Sequence, residues 1–361
     1  MKPQIFQLPD SAISKVSLWV PPYPSSRDLM AHALPPVQLV KILVSSIFFC
    51  ISLLPLAPGL AHSENPTPSN SRPTIVTTTG MLADTVRNLV QENAIVNSLI
   101  GPGVDPHMYK PTRSDIASLL GADLIFFNGL QLEGRFEHAL ERIARAKANV
   151  VAVGDLLDPS LLQAPEDHEK AYDPHIWMDP VLWKEVTRLL SKHLISHFPH
   201  LTFTIRRNTE KHLEQLDTLH TFAETSIESI PEYSRILVTA HDAFHYFGRR
   251  YNVRVIGIQG VSTESEAGIR DINVIVRTLI NHKVPAVFIE STVSDRNVQA
   301  IREGSKARGH HVALGGTLFS DAMGKENTPE GTYVGMLKHN ITTFVTAMHG
   351  RVQSHEMENF Q

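Results

Sequence analysis

Residues 200–231, HLTFTIRRNTEKHLEQLDTLHTFAETSIESIP, run without a glycine or an internal proline and stop at Pro231. They read as one helix of about 25–30 residues, on the order of 40 Å long at 1.5 Å per residue. On both sides of it, short β-branched runs alternate with longer helical periods, the pattern of parallel sheets covered by helices. Before the helix, strands are expected at 74–78 (TIVTT), 94–100 (AIVNSLI), 123–127 (DLIFF) and 149–153 (NVVAV). After it, they are expected at 235–240 (RILVTA), 253–258 (VRVIGI), 286–290 (AVFIE) and 311–314 (HVAL). Thr112 and Asp115 form a capping-box pattern that opens the helix in PTRSDIASLLGA. The predicted fold is α/β: two lobes, each with a parallel β-sheet flanked by helices, joined by one long rigid helix. The lobes are placed at 74–199 and 231–350 and the linking helix at 200–230. A single rigid helix restricts the relative motion of two lobes more than flexible crossing strands would.

The segment before the first lobe has a different character. Val40 to Leu60 is the most apolar stretch of the chain, Lys41 its only charge, and Gly59-Leu60-Ala61 offers small residues at a signal-peptidase site. Residues 1–61 are therefore read as an N-terminal extension and signal peptide cleaved after Ala61, with Met30 a second possible start. Residues 62–73 are read as a polar linker and 351–361 as a polar tail. An uncleaved membrane anchor is the alternative, since about 18 apolar residues can span a bilayer, but Pro55 and Pro58 disfavour it. Cys50, the only cysteine, rules out a disulfide within one chain. Phe48 and Phe49 ahead of it do not look like a lipobox. The 33 Lys and Arg against 37 Asp and Glu give no basic field that would draw the chain onto nucleic acid.

The 19 histidines direct attention to metal chemistry, because neutral imidazole is a common ligand for borderline dications. In open parallel sheets, ligands collect beyond the carboxyl ends of the strands. Four metal-competent side chains are expected there: His107 in GVDPHMYKPT, His175 in DPHIWMDP, His241 in VTAHDAFHYF and Asp321 in GGTLFSDAMG. Two precede the linking helix and two follow it. Three imidazoles and a carboxylate suit one divalent ion bound at about 2.0–2.2 Å, with no position left open for a catalytic water. With the histidines neutral, such a shell leaves about one positive charge uncompensated, which suits an ion held tightly and then released.

Around these residues the chain resembles the cluster A-I zinc/manganese solute-binding family of ABC importers. The resemblance covers about residues 74 to 349 and includes VTAHDAF, GVSTESEAG, FIES, LFSDAMG and EGTYVGMLKHN in order. It implies metal ligands at His107, His175, His241 and Asp321, no catalytic residue, and no resident cofactor. The third family position is His or Glu, and His241 tilts the site towards zinc, with manganese possible. The resemblance also implies export to the periplasm or cell surface as a monomer that docks on a membrane permease. A separate ATPase subunit fits the absence of a GxxxxGK[ST] loop from this chain. Many dedicated zinc members carry a long His- and acid-rich loop ahead of the second ligand, whereas here LLQAPEDHEKAYDPH is short and offers only His168 before His175.

Several nearby residues have plainer readings. His245, four residues after His241, is expected to share a helix face with it as an outer or surface residue rather than a ligand. Glu290 either orients a ligating imidazole or serves as a cap or ion-pair partner. His310 and His311 are expected to be exposed, and Tyr333, Met336 and His339 to be packing residues. Trp177 and Trp183 are expected to pack between the lobes. Two other functions compete: an exported zinc metallohydrolase, with His241 and His245 on zinc and Asp242 or Glu290 as base, and a surface adhesin.

Overall fold

The computed structural model describes residues 72–353 except 148 and 165–170. The expected signal peptide, most of the 62–73 linker, His168 and the end of the polar tail lie outside the described residues. Among the described residues no helix is long and apolar enough to cross a membrane.

The first half follows the expected alternation. Strand β1 (Thr74–Thr77) leads into α1 (Gly80–Val90), and β2 (Ile95–Ser98) is followed by a long loop and α2 (Arg113–Gly121). Then come β3 (Leu124–Phe127), α3 (Glu137–Ala146) and β4 (Val150–Ala152). The four strands pair in parallel in the order β2-β1-β3-β4, with Val76 of β1 opposite Asn97 of β2 and Ile125 of β3. All four residues of β3, LIFF, are buried, as expected of a central strand covered on both faces. The capping box of α2 forms as read, with the Thr112 hydroxyl accepting from the Asp115 N–H and the Asp115 carboxylate accepting from the Thr112 N–H.

Helix α4 (Pro180–His197) leads through a 3-10 turn into α5 (Thr202–Glu228), the long helix, whose 27 residues match the expected length. Its buried positions, among them Ile205, Thr209, His212, Leu216, Leu219, Ala223 and Ile227, recur every three or four residues and form one face. That face packs on α1 and α4 and on α9 (Tyr333–Ala347) from the end of the chain, so one apolar cluster runs through both halves.

In the second half, β5 (Ile236–Thr239), α6 (His245–Tyr251), β6 (Arg254–Gly257), α7 (Ile269–Asn281), β7 (Ala286–Glu290), α8 (Arg296–Lys306) and β8 (Ala313–Leu318) follow in order. Their strands form two parallel ladders, β5-β6 and β7-β8, with β5 lying beside β7. Strand β8 runs four residues past the expected end at Leu314. Gly315 and Gly316 continue the strand through a bulge in which the register moves from Val287↔Leu314 to Phe288↔Gly316. A Cβ on Gly315 would lie 2.5 Å from the Phe288 ring, so only glycine lets the strand pass that side chain.

Aromatic side chains join the halves. The Trp177 indole donates to the Ser320 carbonyl at 2.8 Å, and the Tyr333 hydroxyl donates to the Trp177 carbonyl at 2.8 Å. Trp183 stacks on Tyr333 with ring centroids 5.2 Å apart. Tyr333 and Met336 are packing residues as expected, both fully buried.

Candidate metal centre

His241 and Asp321 sit two and three residues past strand ends, whereas His107 and His175 lie on longer loops, and each of the four is fixed by local contacts. The tripeptide Asp-Pro-His occurs twice, at 105–107 and 173–175. Each proline lacks an N–H and restricts the turn, and each aspartate accepts the N–H of the histidine two residues on, at 2.8 Å in the first and 2.9 Å in the second. Asp173 also meets the His175 Nδ1 at 2.7 Å, which turns Nε2 inwards. His241 lies two residues past β5, where Glu290 at the end of β7 accepts its N–H at 2.8 Å and meets its Nδ1 at 2.5 Å. Asp321 follows β8 by three residues. Asn340 of α9 clamps Phe319 on both sides, accepting its N–H at 2.9 Å and donating to its carbonyl at 2.7 Å.

These devices converge four donors into one buried point, with one atom of each residue within 4.8 Å of every other. The Nε2 atoms of His107 and His175 are 3.3 Å apart. Asp321 Oδ1 lies 3.3 Å from His175 Nε2, and Asp321 Oδ2 lies 3.2 Å from His241 Nε2 and 3.9 Å from His107 Nε2. Four donors about 2.0–2.1 Å from the centre of a tetrahedron would be about 3.3–3.4 Å apart, so the observed spacing suits a zinc-sized ion. His175 and His241 are fully buried and Asp321 is 1 % exposed, yet both Asp321 oxygens and His241 Nε2 lack a hydrogen-bond partner. Such orphans are costly unless a cation occupies the space between them. The Trp177 ring stands edge-on to His175 at 5.3 Å and walls the site with apolar surface.

Protons compete for the same space. Burial drives the His107 imidazole down to about 3, with Asp321 only partly opposing. Burial also opposes charge on His175 and His241, but nearby carboxylates outweigh it. Asp173 and Asp321 raise His175 to about 9, while Asp321 and Glu290 hold His241 well above the ordinary imidazole range. Burial alone would raise Asp321, but His241 and His175 overcome it and hold the carboxyl well below its usual range. An entering dication would have to displace the protons held on His175 and His241.

Glu290, left open in the sequence, is the orienting partner of His241. Asp173 and Asp105 were not singled out, although the repeated Asp-Pro-His is a signal that could have found them. Asp173 and Glu290 also bring two further carboxylates against the site, so the count of one uncompensated positive charge omitted nearby negative groups. The shared helix face expected for His241 and His245 does not form, because α6 begins only at His245 and His241 sits in the loop before it. His245 instead lies 3.1 Å from Asp242 and 3.7 Å from the outer oxygen of Asp173. His311 is exposed, but His310 is half-buried with its Nε2 3.0 Å from the Val284 carbonyl. His339 lies against the Phe319 ring and contacts the Thr317 carbonyl, away from the four donors.

Comparison with known proteins identifies the family of the chain. Residues 75–347 match the family model of the periplasmic zinc-uptake complex component A, ZnuA. The chain is 41% identical over 301 residues to the zinc-binding protein TroA of Treponema pallidum, covering 83% of this chain and 97% of that one. It is 40% identical over 274 residues to the manganese-binding lipoprotein MntA of Bacillus subtilis, covering 76% and 89%. The solved structure of the periplasmic zinc-binding protein TroA from Treponema pallidum superposes with a TM-score of 0.75 at 42% identity, over 77% of this chain and 99% of that one. This chain therefore belongs to the ZnuA family, the zinc/manganese solute-binding proteins of metal ABC importers.

Proposed function

We propose that this protein captures one divalent metal ion with His107, His175, His241 and Asp321 and delivers it to the membrane permease of an ABC importer, whose ATPase is a separate subunit. The observation that carries the reading is the buried Asp321 carboxylate, whose two unpartnered oxygens face imidazole nitrogens at tetrahedral spacing. Zinc is the favoured ion and manganese a possible one. The zinc-named and manganese-named relatives are 41% and 40% identical to this chain, so overall similarity does not choose between the metals. The nitrogen-rich donor set favours zinc. The ion is transported cargo, and the protein is a binding component rather than an enzyme. In this reading 74–199 and 231–350 act as two lobes that each give two donors, and the helix 200–230 limits how far they part. The protein works as an exported monomer, in the periplasm or at the cell surface, and meets the membrane by docking or through an uncleaved anchor.

Elemental analysis of protein purified without added metal, with zinc and manganese titrations, tests this. One ion per chain is expected. Alanine at His107, His175, His241 or Asp321 should each weaken binding by more than the roughly 100-fold ceiling for an outer partner. Full affinity in two of these variants would exclude the site.

A further inference from the structure

Three of the four donors sit close to the end of a secondary-structure element, but His107 rides on the open loop 99–112 between β2 and α2. This loop is the outer wall of the centre, since Val104 is 38% and Met108 50% exposed while His107 itself is 4% exposed. Its inner side is held by Gly134, where the left-handed backbone lets the chain approach so closely that a Cβ would lie 2.6 Å from the His107 carbonyl oxygen. Its outer side is held from the other half of the molecule. Asp105 Oδ1 accepts the His107 N–H at 2.8 Å, and Asp105 Oδ2 accepts the Thr263 hydroxyl at 2.5 Å. Thr263 belongs to the loop after β6, within GVSTESEAG, and is not one of the four metal donors.

We propose that Thr263 is a positioning residue for the metal: through Asp105 it pins the His107 loop over the centre and so sets how fast the ion leaves. The inference rests on the metal-capture reading and extends it to release. One carboxylate ties together the backbone of a metal donor and a hydroxyl from the opposite half, so a small separation of the halves breaks this bond without moving His175, His241 or Asp321 from their own supports. Losing the hydroxyl removes no metal donor. Its effect should therefore fall on the departure of His107 rather than on the first encounter, as is usual when related complexes differ mainly in dissociation.

The test is stopped-flow release of zinc from the loaded protein into excess chelator, with association measured separately. Thr263→Val, which keeps the branched shape, should release zinc about 10-fold faster, at the lower end of the effect of an outer partner. Its association rate should stay within about twofold, against the one to three decades over which related complexes vary. Thr263→Ser should restore slow release. In an Asp105→Ala background, which already lacks the shared carboxylate, Thr263→Val should add nothing. A Thr263→Val release rate equal to wild type would overturn the proposal, as would an undiminished Thr263→Val effect in the Asp105→Ala background. Wild-type protein that takes up no zinc would instead refute the metal-capture reading, and so the two failures are distinct. Thr263→Ala is the second variant should valine disturb the loop, and circular dichroism of each metal-free variant separates misfolding from a change in release.

Discussion

Replacing Glu290 by glutamine tests whether the partners behind the imidazoles matter as much as the donors. For His241 to offer the Nε2 lone pair to an ion, its Nδ1 must carry the proton, and that proton points at Glu290 Oε2 over 2.5 Å. The other oxygen, Oε1, accepts the His241 backbone N–H at 2.8 Å. Glutamine has only one acceptor oxygen for these two donors. Whichever way its amide turns, its NH2 faces either the backbone N–H or the ring Nδ1. The second case favours the tautomer with the proton on Nε2, which blocks metal binding. The expected cost is about 10–100-fold in zinc affinity, or roughly 1.4–2.7 kcal/mol. Competition titration against a chelator of known affinity measures it, and thermal unfolding of the metal-free variant shows whether the fold is intact. An affinity within twofold of wild type in a folded protein would mean that Glu290 does not orient His241 for metal.

Zinc should bind more tightly than manganese, and His241→Glu should narrow the gap by adding a hard oxygen donor; manganese displacing zinc at equal concentration would refute this. Zinc at about 1,000 times its dissociation constant should stabilise the native state by about 4 kcal/mol while changing the molecular shape only modestly. Because His175, raised to about 9, and His241 must give up protons to bind, the zinc-induced melting shift should shrink from pH 7.5 to 5. Scattering that shows a wide hinge closure, or a melting shift undiminished at pH 5, would contradict that expectation. A second pH effect is independent of metal: burial raises Asp84 from 3.8 to about 6 while its carboxylate accepts the Tyr333 N–H. The folded state then keeps this proton to higher pH than the unfolded chain, so the stability it gives is full below about pH 4 and lost as pH rises through about 6. Asp84→Asn keeps an acceptor for Tyr333 and should raise stability at pH 7.5 by up to about 3 kcal/mol, with little gain at pH 4; equal gains at both pH values would remove the titration from the explanation.

The elements most legible in the sequence are those in which local and global signals agree. The long helix announces itself by the absence of glycine and proline before Pro231, and its buried face repeats at helical spacing. The buried strand LIFF is equally plain. Strand β8 continues past Leu314 through two glycines, residues that normally punctuate a strand, and the Phe288 ring on the neighbouring strand explains why glycine is needed there. The four side chains that the fold brings together were legible because they lie in recognisable motifs. Their supports were less so, since Glu290 lies 49 residues from His241 and Thr263 lies 158 from Asp105. Pairings at that distance depend on how β5, β6 and β7 are arranged. Asp173 was within reach, being part of a tripeptide that recurs around the other histidine.

The central claim is that one ion is held by three imidazoles and a carboxylate, and zinc-edge X-ray absorption of the protein loaded with one equivalent of zinc tests it most directly. The expected spectrum shows four or five nitrogen and oxygen neighbours at about 2.0–2.2 Å, with the outer-ring scattering of three imidazoles, and the imidazole count should fall to two in His175→Ala. A six-coordinate, oxygen-dominated shell, or a spectrum unchanged by His175→Ala, would show that zinc binds elsewhere on the molecule.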